Sequence, residues 1–535
     1  MSAASRPQRG GPVRTAADGA GRPPYGHRRR TLLRAGAGLA VAAGVGGGGW
    51  AASRAQASGS AWSSLAEGLD GSLLRPDDAD YDTARKLFNP RFDHVRPAGI
   101  AYCATSQDVR ECLAFAKRHE VPVAVRSGGH SYAGWSTGKG LVIDVQRMDS
   151  VTAADSGHSA TVGAGAKLID VYAELAQHGR TVPAGSCPTV GVSGLTLGGG
   201  MGVVSRAYGL TCDSLTGARI VTPDGRIREV SAERDAALFW ALRGAGHANF
   251  GVVTALHFRT HAAPSCAAFF LNWPWSRAEA VLREWQRWAP TAPDEVWANL
   301  HLSAPAGGEP GSVSVGGLSL GDKSDLTRRL DRLADRIGAP ASSVSVREHT
   351  FLDAMKVMGG ASAWSTAQAH QRGDLPGRTP EGKVRRELYA ARSDFYTRAI
   401  PAEGVRALLD RVERFGARVS GGGAGSVAFD ALGGAANRVR PESTAFVHRS
   451  ALFCAQYIAS WPESASSVVA GAHRSWLNGT HAAMRSWASG GAYQNYADPE
   501  LRDWRTAYYG SNAARLKKVK AAYDPDRLFS YPQAV

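Results

Sequence analysis

The fold of this chain is indicated most strongly by two glycine-rich stretches, R-S-G-G-H-S at residues 126–131 and G-S-C-P-T-V-G at residues 185–191. The first follows an apolar run, Val121–Val125, that is typical of a buried strand. Residues without side chains let consecutive backbone N–H groups face an anion such as a phosphate. The second stretch continues through further glycines to Gly202, which favours a flat ligand lying against backbone.

A Rossmann dinucleotide site does not explain these glycines. The run G-M-G at 200–202 is followed by Val203 and Val204, and no third glycine stands where the fingerprint requires one. The run G-A-G at 244–246 fails in the same way. Neither run follows the first strand of a βαβ unit, so we expect a different kind of nucleotide site.

Outward from the first stretch, short apolar strands alternate with amphipathic helices over residues 70–265. The sequence predicts strands and helices at Ile100–Cys103, 105–116, Val121–Val125, Leu141–Val145, Leu168–Gln177, Ala236–Leu242 and Gly251–Phe258, with a hairpin at Pro223-Asp224-Gly225. Residues 266–487 predict a second domain, an antiparallel sheet with helices on one face. Its predicted elements are Glu279–Trp288, Val296–Leu302, Ser312–Leu320, Asp325–Ile337, Gly404–Phe415 and Phe446–Trp461. The fold class is therefore α+β.

Charge is unevenly placed along the 535 residues. The net charge is +15, but residues 1–57 hold nine arginines against one acid, so the rest of the chain is only mildly basic. No basic stripe is interleaved with aromatic residues, and no zinc-finger or RNA-recognition pattern occurs. We expect no nucleic-acid partner.

The first 57 residues resemble an export signal. Arg29-Arg30 is followed by a glycine-diluted apolar stretch, 35–52, and by the small-residue motif Ala55-Gln56-Ala57. Paired arginines of this kind are typical of twin-arginine signals, which carry folded proteins to the twin-arginine export machinery. The sequence predicts cleavage after Ala57, an exported protein and no stable membrane span, with an uncleaved anchor or a basic tail as alternatives.

The six cysteines are scattered without C-x-x-C spacing, so no metal site is predicted. The sequence does not determine which of them pair.

Together with four later motifs, the glycine stretches identify a family. The motifs are N-F-G-V-V-T at 249–254, Y-Q-N-Y-A-D at 493–498, Y-Y-G-S-N at 508–512 and Y-D-P-D-R-L-F at 523–529. From about Phe88 to Val535 the chain resembles the berberine-bridge-enzyme-like FAD-linked oxidases of the vanillyl-alcohol-oxidase/PCMH superfamily. The resemblance implies a PCMH-type FAD-binding domain of two α/β subdomains, a substrate domain, and a C-terminal segment, 488–535, that returns to the FAD domain.

In that family a histidine and a cysteine are both bonded to the flavin, and here the matching residues are His130 and Cys187. The resemblance thus implies bicovalent FAD. It implies further cofactor contacts at Arg126, Ser127, Gly128, Gly129, Ser131, Val190, Gly191, Gly194, Gly199, Gly200, Gly202, Asp213, Gly251, Val252 and Asn495. The chain departs from the family at His247 and Ala248, where relatives often have glycines.

Oxidation of an alcohol needs a base that takes the hydroxyl proton while hydride leaves the carbon. The resemblance places Tyr493 or Tyr496 there, and we prefer Tyr493. A free tyrosine has a pKa near 10, so neighbouring donors would have to stabilise its phenolate. Gln456 matches a position facing the flavin where some relatives carry glutamate, and glutamine cannot be the base. In the family a small β-branched residue at the position of Val190 leaves dioxygen access to the flavin, so the resemblance favours an oxidase over a dehydrogenase.

The predicted function is oxidation of an alcohol carbon of a sugar or natural product, with dioxygen reduced to hydrogen peroxide. A flavin-dependent dehydrogenase is the nearest alternative. A secreted serine hydrolase is another, because Gly317–Gly321 matches G-x-S-x-G around an outward Ser319. The third is a non-catalytic sugar-binding protein that uses the tryptophans of the second domain. His473 and His481 are interpreted as surface residues.

Overall fold

The computed structural model describes residues 57–535. The predicted export signal lies outside these residues except for Ala57. The helices are α1 (Gly59–Glu67), α2 (Tyr81–Ala84), α3 (Ser106–Arg118), α4 (Leu168–Gln177), α5 (Val192–Leu197), α6 (Ser205–Tyr208), α7 (Ala236–Ala245), α8 (Ala278–Trp288), α9 (Lys323–Ile337), α10 (Phe351–Met358), α11 (Ala402–Arg418), α12 (Gly434–Arg438), α13 (Ser467–Met484), α14 (Trp504–Tyr509) and α15 (Ala513–Tyr523).

The strands follow the same order along the chain. They are β1 (Ser72–Leu74), β2 (Gly99–Tyr102), β3 (Val123–Arg126), β4 (Leu141–Asp144), β5 (Val151–Ala153), β6 (Ser159–Gly163), β7 (Arg180–Thr181), β8 (Leu215–Val221), β9 (Ile227–Ser231), β10 (Val252–Arg259), β11 (His261–Ala262), β12 (Cys266–Pro274), β13 (Val296–Pro305), β14 (Ser312–Ser319), β15 (Ser343–His349), β16 (Gln371–Arg372), β17 (Arg378–Thr379), β18 (Tyr389–Tyr396), β19 (Ala424–Ala431) and β20 (Phe453–Ser460).

Two sheets build the N-terminal half. The first has the order β1-β2-β4-β3, with parallel pairing of β2 and β3 to β4, and the second is antiparallel with the order β5-β6-β10-β8-β9. Helix α3 begins as predicted, because the Thr105 hydroxyl accepts a hydrogen bond from the backbone N–H of Asp108. Trp504, Leu516 and Phe529 from the end of the chain belong to the same hydrophobic core as these sheets.

The C-terminal half contains a seven-stranded antiparallel sheet, β15-β12-β14-β13-β19-β20-β18. Its strands alternate strictly, so that Leu300 and Leu302 of β13 share one core with Trp285 of α8 and Phe415 of α11, while the intervening residues face the other way. Helices therefore cover one face of the sheet and leave the opposite face for the site. This arrangement confirms the predicted α+β fold with an antiparallel sheet.

Three sequence expectations are wrong in detail. Strand β20 begins at Phe453 and not at Phe446, because the intervening loop carries Arg449 to an ion pair with Asp213. His473 is fully buried, and its ring nitrogens contact the carbonyl oxygens of Val469 and Gly422. His481 is also buried, 3.4 Å from a carboxylate oxygen of Asp394.

Within residues 57–535, no helix has both the length and the apolar character that crossing a bilayer requires.

Candidate active site

A cavity of about 1970 Å³ lies between the glycine-rich stretches and the uncovered face of the seven-stranded sheet. We call the stretches 126–131 and 185–202 the floor, and the uncovered face of the sheet the roof. Pockets for single small ligands usually enclose about 300–1,000 Å³. The cavity therefore has room for a large cofactor and a second molecule beside it.

The floor is made of backbone packed against backbone. A Cβ atom on Gly128 would lie 2.2 Å from the Gly191 nitrogen, and one on Gly191 would lie 2.3 Å from the Gly128 nitrogen. Only glycines allow the two stretches to meet so closely. Gly194, in contrast, has nothing within 4 Å of its would-be Cβ and lines the cavity, so its surface is free for a flat ligand.

His130 enters the cavity from the loop after β3. Its ring stacks on Phe88 with the centroids 4.0 Å apart, and its Nε2 lies 2.9 Å from the Thr189 hydroxyl. Burial, with a smaller contribution from the charge of Lys167, lowers the pKa of His130 to about 3. The imidazole is therefore neutral at physiological pH, and one ring nitrogen keeps a free lone pair.

Cys187 exposes its thiol to the same cavity. Removal from bulk water raises the pKa of this thiol to about 11, with smaller contributions from the charges of Glu387 and Asp430. Cys187 is therefore a protonated thiol, and no disulfide joins it to another of the described cysteines.

Strand register brings the polar residues of the roof together. Asn299 of β13 pairs with Asp430 of β19, and Ala428 of β19 pairs with Gln456 of β20. Because alternate residues of a strand face opposite sides, Asn299, Asp430 and Gln456 all line the cavity.

Asp430 is the residue that the sequence interpretation missed. It lies deep in the cavity, where burial raises the pKa of its carboxyl to about 7. Such a carboxyl can gain or lose a proton near neutral pH. The available signal was the alternation of Val427, Phe429 and Ala431, which places the acid between them on the opposite face.

The two tyrosines of the Y-x-N-Y motif differ in what their hydroxyls contact. The Tyr493 oxygen accepts hydrogen bonds from the backbone N–H groups of Gly200 and Met201, at 3.1 and 3.0 Å, and from the Asn495 amide at 2.6 Å. These are the donors that a phenolate would need. Burial nevertheless outweighs them and raises the pKa of Tyr493, so its phenol stays protonated.

Tyr496 lines the cavity and is half-buried. Its ring stacks on Tyr132 with the centroids 5.0 Å apart, and the Tyr132 hydroxyl accepts a hydrogen bond from the Gln456 amide at 2.8 Å. Among residues 57–535 the Tyr496 hydroxyl has no hydrogen-bond partner. Burial and then the charge of Asp430 raise the pKa of Tyr496, so the two groups influence each other across the cavity.

Comparison with known proteins identifies the family to which this chain belongs. The family model described as FAD binding domain matches residues 97–231, and the model described as berberine and berberine like matches residues 492–535. The FAD-linked oxidoreductase YgaK of Bacillus subtilis is 33% identical over 87% of this chain and 97% of its own. The chain belongs to the berberine-bridge-enzyme-like FAD-linked oxidases.

Two further relatives have more specific names. The chitooligosaccharide oxidase of Gibberella zeae is 32% identical over 82% of this chain and 87% of its own. The solved structure of the Acremonium strictum glucooligosaccharide oxidase, described as revealing a novel flavinylation, superposes with a TM-score of 0.79 at 27% identity. It covers 89% of this chain and 98% of that chain.

This berberine-bridge-enzyme-like oxidase binds FAD, and the cavity fits the cofactor. The open glycine surface at Gly194 suits a flat ring, and His130 and Cys187 reach the same space. Eight other predicted cofactor residues also line the cavity: Ser127, Gly128, Gly129, Ser131, Val190, Gly191, Gly202 and Asn495.

Six predicted cofactor residues lie outside the cavity lining, and packing within the protein accounts for them. Asp213 is in a bidentate ion pair with Arg449, and Arg126 is in a buried ion pair with Asp144. The three glycines of this group pack against protein atoms. A Cβ atom on Gly199 would lie 2.6 Å from the Phe446 ring, and one on Gly200 would lie 2.2 Å from the Thr211 hydroxyl. A Cβ atom on Gly251 would lie 2.4 Å from the Val221 carbonyl oxygen. Val252 is fully buried in β10.

The structure buries the serine of the hydrolase interpretation and several tryptophans of the sugar-binding interpretation. Ser319 is 1% exposed and not outward as expected, and its hydroxyl accepts a hydrogen bond from the backbone N–H of Gly321. A hydrolytic nucleophile would have to reach substrate, so Ser319 is excluded. Trp273, Trp285 and Trp288 are buried in the helix-covered core, whereas Trp297 and Trp364 line the cavity.

Proposed function

We propose that the protein oxidises an alcohol carbon of an oligosaccharide, with dioxygen as electron acceptor and hydrogen peroxide as product. One observation carries the proposal. A single cavity is lined by His130 and Cys187 of the floor, by Asp430 of the roof and by Tyr496. The oligosaccharides named for the chitooligosaccharide and glucooligosaccharide oxidases indicate the substrate class. Tryptophan rings at 297, 364 and 461 along the lining offer apolar faces for sugar rings.

When bound, FAD supplies the acceptor for the hydride that leaves the alcohol carbon. Tyr496 is the group we propose to take the hydroxyl proton. Its hydroxyl is uncommitted, whereas the Tyr493 oxygen already accepts three hydrogen bonds. Since the pKa of Tyr496 is raised, the phenol can accept this proton only by giving up its own. Asp430, which lines the same cavity and has a pKa of about 7, is the base that we propose receives the proton of Tyr496.

We also propose that His130 and Cys187 both bond to the flavin. The neutral imidazole of His130 has a free lone pair, and the Cys187 thiol opens directly onto the cavity. Gln456 is proposed to act through Tyr132, whose ring it holds against Tyr496. Val190 lines the cavity and is proposed to leave room for dioxygen.

Export through the twin-arginine machinery is a further proposal, which rests on residues 1–57 of the sequence. A secreted protein that begins at Ser58 would support it, whereas a chain retained in the cell with its first residues intact would contradict it.

The test of the proposed function is a panel of neutral oligosaccharides with peroxide detection. We expect turnover by the wild-type protein. In Tyr496→Phe we expect flavin reduction by the sugar to slow by about 100- to 10,000-fold, the usual contribution of a positioned base. Tyr208→Phe is the matched control, because the Tyr208 hydroxyl bonds to the Ala262 carbonyl outside the cavity. Unchanged reduction in Tyr496→Phe would reject this tyrosine, and no turnover of any sugar would reject the substrate class.

A further inference from the structure

His247 stands in a turn where relatives of this family often have glycine. The neighbouring Ala248 keeps a left-handed backbone with φ of 45°, a conformation that costs a non-glycine residue about 1–3 kcal/mol. The turn is tied down from the end of the chain, because the Tyr531 hydroxyl donates to the His247 carbonyl and the Val535 N–H donates to the Asn249 side chain. The backbone therefore holds the His247 ring in one place.

The protonation of the His247 ring follows from its neighbours. Its Nε2 lies 2.7 Å from the Asn495 side-chain oxygen and 3.0 Å from the Gly194 carbonyl oxygen. Both neighbours can only accept, so Nε2 carries the hydrogen. Burial lowers the pKa of His247, which keeps the ring neutral.

His247 in turn fixes the Asn495 amide. The Asn495 oxygen accepts from His247, and the Asn495 nitrogen donates to the Leu195 carbonyl at 3.0 Å and to the Tyr493 hydroxyl oxygen at 2.6 Å. A flipped amide would place its oxygen against the Leu195 carbonyl and its nitrogen against the His247 N–H. The amide therefore has one orientation, with a donor aimed at Tyr493.

The Tyr493 hydroxyl is left with one free direction. Its oxygen is surrounded by three donors, from Gly200, Met201 and Asn495, and none of them can accept the hydrogen of the phenol. Tyr493 also lines the cavity. The phenol hydrogen must therefore point away from the three donors, and it is available to an acceptor bound in the cavity.

We infer that His247 is a positioning residue which, through Asn495, holds the Tyr493 hydroxyl as a hydrogen-bond donor to the flavin ring. A donor at the ring stabilises the negative charge that arrives with the hydride and so makes the flavin easier to reduce. This inference rests on the proposed function, in which His130 and Cys187 of the floor hold the flavin ring.

The experiment compares His247→Leu, which keeps bulk but loses the donor, with His247→Gln, whose amide can still donate. The midpoint potential is measured by titration with a chemical reductant, so no sugar is needed. We expect a lower potential in His247→Leu and recovery in His247→Gln. With saturating sugar, flavin reduction in His247→Leu should be about tenfold slower, as the loss of one strong hydrogen bond implies, with KM changed less than twofold. His178→Leu, at the exposed end of α4, is the control.

A second pair of variants separates positioning from mere packing. In Tyr493→Phe the donor is already gone, so adding His247→Leu should cause no further drop in potential. An equal drop in both backgrounds, or a failure of His247→Gln to recover, would overturn the inference. Because the potential is read without substrate, failure on sugars alone would reject only the proposed substrate class.

Discussion

The floor and the roof of the cavity are built on opposite principles. The floor is built from two short stretches, each continuous in sequence, and it works through the absence of side chains, since Gly128 and Gly191 let two loops touch and expose backbone. The roof is assembled from strands far apart in the chain and works through single side chains such as Asn299, Asp430 and Gln456. We therefore propose that the floor holds the cofactor and that the roof takes part in moving protons. Damage to one should leave the other measurable.

The largest expected effect concerns the proposed covalent bonds between the floor and the flavin. In an acid-denatured and washed sample, wild-type protein should be yellow and heavier by one FAD. His130→Ala and Cys187→Ala should each keep the flavin through the remaining bond, and the double variant should release it completely. Intact mass and visible absorption check this.

The controls for this series are His178→Ala and Cys266→Ala, which lie outside the cavity lining. Colourless wild-type protein at the bare chain mass would contradict the bicovalent proposal. The roof would then act on a dissociable cofactor.

The next largest effect concerns the proton transfer that we propose for Asp430 of the roof. A carboxyl must be deprotonated to receive a proton, so the rate of flavin reduction should rise with pH around the Asp430 pKa of about 7. Asp430→Asn should lower kcat by about 100- to 10,000-fold and remove this rise, while the flavin stays bound. Rapid-mixing measurements between pH 5 and 9 test both points, with the range chosen as roughly two units on either side of the pKa.

Asp410→Asn, at an exposed ion pair on α11, serves as the control for Asp430→Asn. If Asp430→Asn kept the rise with pH, another group would control the proton.

The smallest effect tests whether the floor needs its glycines for its own packing. A Cβ in Gly191→Ala would lie 2.1 Å from the Ser127 hydroxyl and 2.3 Å from the Gly128 nitrogen. Relieving such crowding costs about 1–3 kcal/mol, so the melting temperature should fall by about 1–3 °C. The melting temperature of Gly471→Ala should not fall, because nothing lies within 4 Å of the new Cβ atom. Equal melting temperatures in both variants would show that the loops can separate without cost.

Much of the floor could be predicted because its chemistry is local. His130 and Cys187 stand beside the glycines that shape their loops, so sequence neighbours are also neighbours in space. Gly199, Gly200 and Gly251, also predicted as cofactor contacts, lie outside the cavity lining. Glycines that admit a ligand and glycines that admit another part of the protein look alike in sequence, and only their positions in the fold distinguish them.

The roof could be predicted only in outline. The strand Val296–Leu302, which corresponds to β13, was predicted, but β18 and β19 were not, and without them the sequence did not show which residues surround Asp430. His473 and His481 were misplaced for the same reason. Helix α13 packs on the sheet and buries both histidines.

From the amino-acid sequence alone follow the family, the cofactor class, the two attachment candidates and the alternation of sheet and helix, because each depends on residues within a few positions of one another. Strand register and helix packing selected Asp430 and Asn299 from a large sheet. The backbone N–H groups of Gly200 and Met201, far from Tyr493 in sequence, satisfy the Tyr493 oxygen, whereas the Tyr496 hydroxyl is left free. The physical reason is that a side chain's proton chemistry depends on its burial and its partners, and both come from parts of the chain that are distant in sequence.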